Sequence, residues 1–212
     1  MTVLLPVSPI VPRTMRDPAV RQTRRAFLTM PHIAPLTEYV LGLRRRGNAD
    51  YPFFDPFDGG IEASVLFLFE KPGAMTSATL NEHGSGFISR DNDDPTAEAT
   101  FHFMEEACIP RRSTITWNVV PGWDGNRGCN SAELRDGIIE LRNVLMLLPH
   151  LQAIVLVGRK AARATALVED YRVFTSDHPS PLVRARYPER WRKIPEAWAE
   201  VAPLLGPERK QL

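Results

Sequence analysis

Short runs of mostly apolar and β-branched residues recur along the chain. They lie at residues 64–69 (SVLFLF), 114–120 (TITWNVV) and 153–157 (AIVLV), with a shorter one at 172–175 (RVFT). Runs of this length, rich in β-branched and aromatic side chains and bounded by turn residues, predict strands covered on both faces. Helical patterns fill the intervals. Asp94 followed by Pro95 opens one through about residue 108, since Asp caps a helix and Pro suits its first position. Ser131 starts another that ends before Pro149, and residues 159–168 form a third. A last helix covers 188–204, with a break at Pro195. Ahead of the first strand, residues 17–30 and 35–46 read as two helices. The first fifteen residues are proline-punctuated and extended, and YPFFDPFDGG at 51–60 is a turn-rich connection. Buried strands alternating with helices predict an α/β three-layer sandwich, α/β/α, around a central four-stranded parallel sheet. Residues 1–60 are an N-terminal extension with helices packing on the core. Residues 61–212 are the α/β unit, and the whole is one structural domain.

In open parallel sheets ligands bind at the carboxyl ends of the strands. That rule selects FEKPGAM, NVVPGW, GRKAA and SDHPSPL, which should converge on one crevice. Composition narrows the function classes. With 43% hydrophobic and 24% charged residues in 212, the chain reads as an ordinary globular protein with a full core. A net charge of +1 means that any nucleic-acid affinity comes from local patches rather than a global field. Two cysteines, Cys108 and Cys129, make neither a disulfide framework nor a four-cysteine metal site. No metal site is expected. No apolar run reaches the roughly 18–20 residues that cross a bilayer. The start, MTVLLPVSPIVPRT, carries no charge ahead of its apolar residues and is broken by prolines. It is a poor signal peptide, and a cytoplasmic protein is expected.

Within the four segments several residues stand out. Glu70 and Lys71 leave a buried strand, so they sit at its open end or are paired, because an unpaired buried charge is very costly. Phe87 lies in a glycine-rich loop (GSGFIS). It either anchors that loop to the core or stacks on a flat ligand, worth roughly 1–3 kcal/mol for a nucleobase. Asn118 interrupts a buried strand. Its amide either bonds neighbouring loop backbone or reads a base edge, accepting an N–H and donating to a carbonyl. His178 is held between a strand end and two prolines, Pro179 and Pro181, which fix φ and stiffen the loop. An imidazole there can stabilise negative charge developing on a ligand oxygen. Arg184, Arg186, Arg190, Arg192 and Lys193 follow, with Tyr187 and Trp191 among them. They form either a solvated face or a phosphate-binding patch.

Taken together, FEKPG, the Gly-x-Gly-Phe loop, TWNVVP and HPSPL resemble the uracil-DNA glycosylase superfamily in order and spacing, over residues 57–204. FEKPG is similar to the GEAPG and GQDPY forms of that family's first motif, and HPSPL matches its second letter for letter. The resemblance implies that Phe87 stacks on a flipped base and Asn118 reads the uracil edge. It implies that His178 supports charge on uracil O2, and that Leu182, beside Ser180 in HPSPL, wedges into the space the base leaves. Arg184 and Arg186 would contact the DNA backbone. The implied partner is uracil-containing DNA, single- or double-stranded, bound by a monomer without membrane contact and associated with the nucleoid through DNA. Where the GQDPY branch has a water-placing aspartate, this chain has Lys71, so another acid must hold the water. Asp94, first among the acids Asp91, Asp93 and Asp94 that follow the loop, and then Glu70 are the candidates, Asp94 also being a helix cap. Gly73 stands where that branch has a tyrosine that excludes thymine's methyl group, which opens the pocket. The cysteine set of the iron–sulfur branch is missing, and the implied hydrolysis needs no cofactor. Three functions fit: excision of uracil or a related deaminated base in base excision repair, a broader glycosylase acting on hypoxanthine, xanthine or substituted uracil, and a protein that traps uracil-containing DNA without turnover.

Overall fold

The computed structural model describes residues 11–205. The expected extended start lies in part outside the described residues; within them, Thr14–Arg16 form a 3-10 turn. Helices α1 (Pro18–Ala26) and α2 (Ala34–Arg46) follow. The central sheet holds four parallel strands: β2 (Val65–Phe69), β4 (Thr114–Asn118), β5 (Ala153–Val157) and β6 (Arg172–Ser176). Their spatial order is β4-β2-β5-β6. A second, two-stranded parallel sheet pairs β1 (Phe53–Phe54) with β3 (Phe87–Ile88). It was not expected, because two residues show no periodicity to read.

Register explains how one sheet makes two cores. In-register pairing aligns Val65, Phe67 and Phe69 with Thr114, Thr116 and Asn118. Because side chains alternate along a strand, these residues all face one way. On that face Phe67, Phe69, Val155 and Val157 pack against helix α3 (Pro95–Glu106) and the C-terminal helix α7 (Ile194–Ala199). On the other face Leu66, Leu68, Ile115, Trp117, Ile154 and Leu156 pack against α2 and helix α4 (Ser131–Met146). Trp117 is sealed there by Phe54, stacked at 4.0 Å between ring centroids.

Two expected helices differ. Residues 159–168 form a 3-10 stretch, Ala161–Leu167, rather than an α-helix. Three residues per turn place Ala161 and Ala164 in one line, and both are fully buried against the core. The C-terminal segment is also not one helix with a single break. It is divided into α6 (Pro188–Arg192), α7 and a short 3-10 turn, Ala202–Leu204, and each piece restarts at a proline in its first two positions. Ahead of them α5 (Pro181–Arg186) makes a helix of the HPSPL segment, with Ser180 as its cap and Pro181 in its first turn.

Helix α1 joins the core through buried charge. Arg24 is 1% exposed and pairs with Asp55 and Asp91. Arg111 reaches Asp55 at 2.6 Å, Asp91 at 2.8 Å and Asp58 at 2.9 Å. The ring of Phe57 lies 3.5 Å beneath the Arg24 guanidinium. A cluster this buried persists because each charge has partners; removing one member leaves the others unpaired. No helix among the described residues is long and apolar enough to cross a membrane.

Candidate active site

The crevice lies where strand order reverses. From β2 the chain crosses to β4, and from β5 it crosses the other way to β6, so β2 and β5 are neighbours whose connections diverge. Their carboxyl ends open the gap in which such sheets bind ligands. Phe69, the last residue of β2, stands at these ends and is 7% exposed. Asn118 is its register partner on β4, and the His178 ring meets the Phe69 ring edge-on with centroids 5.6 Å apart. Two polar groups from distant parts of the chain therefore flank one phenyl ring.

Asn118 is 5% exposed, and its amide has no hydrogen-bond partner among the described residues. Its polar atoms are not among the sealed, unpartnered ones, so they keep access to solvent and are open to a ligand. Backbone bonding, the structural alternative for this residue, is not what the geometry provides.

His178 reaches the crevice from the loop after β6. Its carbonyl accepts from the Ser180 amide at 2.8 Å, which tightens the turn. Gly158, after β5, lies against it. A Cβ at Gly158 would approach the His178 Cβ to 3.2 Å, and the glycine's φ of +87° suits no other residue well. Burial lowers the imidazole pKa below its ordinary value, and the nearby Glu70 charge only partly opposes this. The ring is therefore neutral at pH 7 and offers one N–H donor.

Glu70 and Lys71 leave β2 in different directions. Glu70 pairs through Oε1 with Lys160, and the Cys129 Sγ lies 3.8 Å from the same oxygen. Its other oxygen has no protein partner among the described residues, and the side chain is 28% exposed. Lys71 turns away. Its side chain is 2% exposed, and its ammonium reaches Asp124 at 2.8 Å, Glu133 at 2.9 Å and the Gly128 carbonyl at 3.1 Å. Burial acts against the charge, but the two carboxylates outweigh it and raise the Lys71 pKa. An ammonium has three donors, and all three are engaged. Lys71 thus has none to offer a base and serves as a latch on the loop over residues 121–130.

The other expected site residues have varied placements. Phe87 is 0% exposed, packed with Met15, Leu28, Val20 and Phe53. Its position is that of a loop anchor; it presents no open stacking face. Asp94 caps α3, with Oδ1 accepting from the Thr96 and Ala97 amides at 2.9 and 3.0 Å. Helix α3 connects the carboxyl end of β2 to the start of β4, so its capped end lies at the crevice end of the sheet. Burial raises the Asp94 pKa against the pull of those amides. Gly73 faces open space, with no atom within 4 Å of the position that a Cβ would take. On the rim, Leu182 is 72% exposed on α5. Arg190 and Arg192 pair with Asp177 and Glu189, whereas Arg184 and Arg186 have no carboxylate partner among the described residues and lie over Trp191 and Tyr187. Ser180 is the cap of this helix, its Oγ accepting from Val183 at 3.4 Å.

Gly158 and Lys160 were not singled out in the sequence beyond their segment, GRKAA. The available signal was that segment's place at a strand's carboxyl end; their relation to His178 and Glu70 appears only on folding. Two surface grooves lie apart from this crevice, one of them about 660 Å³ between the end of α2 and the start of α4. Its lining includes Asp124, Glu133, Asp136 and Glu140, an acidic character unsuited to a phosphate backbone.

A comparison with curated proteins finds no match to this chain. The family model of the Uracil DNA glycosylase superfamily matches residues 56–202, which takes in the whole four-stranded sheet, the Asn118–Phe69–His178 row and the exposed Leu182 helix, and the chain belongs to that superfamily.

Proposed function

We propose that, within the DNA glycosylase-type function that this membership supports, the protein hydrolyses the N-glycosidic bond of uracil in DNA and so initiates base excision repair. The observation that carries this reading is the pair of Asn118 and His178 on either side of Phe69, one an unpartnered amide and the other a neutral imidazole. A base inside a duplex is out of reach, so it is extruded at a cost of a few kcal/mol and bound in the crevice. Asn118 then accepts the uracil N3–H and donates to O4. As the C1′–N1 bond breaks, its electron pair passes into the ring and charge gathers on O2, where the His178 N–H donates. A well-placed donor of this kind is worth about 3–4 kcal/mol. Water forms the new bond to C1′ and its proton passes to a carboxylate. Each of Glu70 and Asp94 has one oxygen engaged and one free among the described residues, and Glu70 is taken for this role because it directly follows Phe69 and its charge acts on the His178 ring. Leu182 fills the vacated stack, and Arg184 and Arg186 neutralise flanking phosphates.

The test is release of free uracil from a single-stranded uracil oligonucleotide with chelator present. Release is expected; intact substrate after prolonged incubation with excess protein would favour a trapping role instead. The open space at Gly73 favours one extension, acceptance of substituted uracils and other deaminated bases. A panel of lesion oligonucleotides measures it, and strict rejection of 5-substituted uracils would remove it.

A further inference from the structure

The reversal of strand order places two charges face to face. Glu70 is the residue after β2, and Lys160 follows β5 in the short turn that begins at Gly158. The strands are hydrogen-bonded neighbours, so the two side chains meet across the mouth of the crevice, with Lys160 Nζ on Glu70 Oε1. The Cys129 thiol lies on that same oxygen at 3.8 Å. Both contacts thus fall on Oε1, and Oε2 is left open toward solvent.

We propose that Lys160 is a positioning residue for this reaction: by holding Oε1 it fixes the Glu70 carboxylate with Oε2 directed at the attacking water. The inference rests on the reading of Glu70 as the acceptor for that water. A carboxylate at the end of a glutamate side chain otherwise samples several rotamers, and each ordered one is only a fraction of the population. A misplacement of about 1 Å in a reacting group costs on the order of 10²-fold in rate. The hydrogen bond from Lys160 removes that freedom on one side while leaving the other oxygen to accept. Lys160 remains 38% exposed, so its replacement does not open a cavity in the core.

The experiment compares Lys160→Met and Lys160→Arg by single-turnover excision at saturating protein. Affinity is read separately by fluorescence anisotropy on a single-stranded oligonucleotide carrying 2′-fluoro-2′-deoxyuridine, which resists cleavage. Lys160→Met is expected to lower the rate roughly 10–10²-fold with affinity unchanged, and Lys160→Arg to recover most of it. Weaker affinity with an unchanged saturating rate would make Lys160 a phosphate contact and overturn the proposal, as would two unchanged values. A third readout does not depend on turnover. The Glu70 hydrogen bond holds the Lys160 pKa above its ordinary value, so Glu70→Gln should lower the midpoint followed by ε-carbon NMR. An unmoved midpoint overturns the pairing. A parent protein that releases no base refutes the reading of the function itself, whereas an active parent with an unaffected Lys160→Met refutes only the role of the lysine.

Discussion

Replacing Lys71 by methionine keeps the length and apolar stem of the side chain and removes its charge. Three bonds disappear, to Asp124, Glu133 and the Gly128 carbonyl. Hydrogen bonds to charged groups contribute about 1.5–3 kcal/mol each when fully buried. Here the partners are partly open, with Asp124 37% and Glu133 29% exposed, so water replaces much of what is lost. Glu133 also keeps its bond to the Asn130 amide at the start of α4. The net loss should be about 2 kcal/mol, which for a domain of this size lowers Tm by roughly 4–8 °C. The difference between parent and variant should depend on pH. Hydrogen bonding to Lys71 is the leading cause holding the Asp124 pKa at about 2, and Glu133 is also lowered, first by the Asn130 amide and then by Lys71. Carboxylates depressed in the folded state stabilise it above their unfolded values, near 4, and lose that contribution as pH falls through the folded values. The gap in stability should thus be full at neutral pH and close as pH falls from about 4 toward 2. Thermal melts followed by circular dichroism across this range measure both quantities. Equal melting points at pH 7 would refute the latch. A large loss of excision rate well below the melting midpoint would show that Lys71 has a direct part in the chemistry after all.

Asn118→Ala should weaken binding of the flipped base about 10–10²-fold, the equivalent of roughly 1–3 kcal/mol for the groups left unmet, and Asn118→Asp should relax discrimination toward cytosine, whose exocyclic amine can donate to the new carboxylate. Excision assays on uracil and cytosine oligonucleotides check both, and wild-type uracil excision by Asn118→Ala would make the amide structural. Asp94→Asn should keep both Tm and excision rate, because asparagine caps helices as well as aspartate does, while Glu70→Gln should lower the single-turnover rate by about 10²–10⁴; the reverse result would return the water to Asp94. Arg184→Ala and Arg186→Ala should each flatten the log–log dependence of DNA affinity on salt by about 0.7–0.9. An unchanged slope in both would assign these two arginines to the solvated surface.

The architecture was legible in the sequence because a strand buried on both faces favours apolar and β-branched residues on both, and the three longest runs at 64–69, 114–120 and 153–157 contain strands at β2, β4 and β5. The helix starts were legible for a similar reason: Asp94 before Pro95 and the start of α4 at Ser131 are local chemistry, decided within a few residues, although the cap of α4 is Asn130. HPSPL and TWNVVP carried the family for the same local reason. What each conspicuous residue touches was another matter. Phe87 is an anchor because β3 pairs with β1 and turns the ring toward Met15 and Leu28, residues far away in sequence. Arg24 stands beside Arg25 in the sequence, yet it is sealed against Asp55 and Asp91. Lys71 and Glu70 are adjacent along the chain, yet one latches onto Asp124 and Glu133 while the other faces Lys160 in the crevice. A side chain's own neighbours in sequence decide its backbone conformation, since propensity, caps and turns act over a few residues. Its partners are decided by strand order and register, which bring together groups as distant as Glu70 and Lys160, and only the folded chain contains that information.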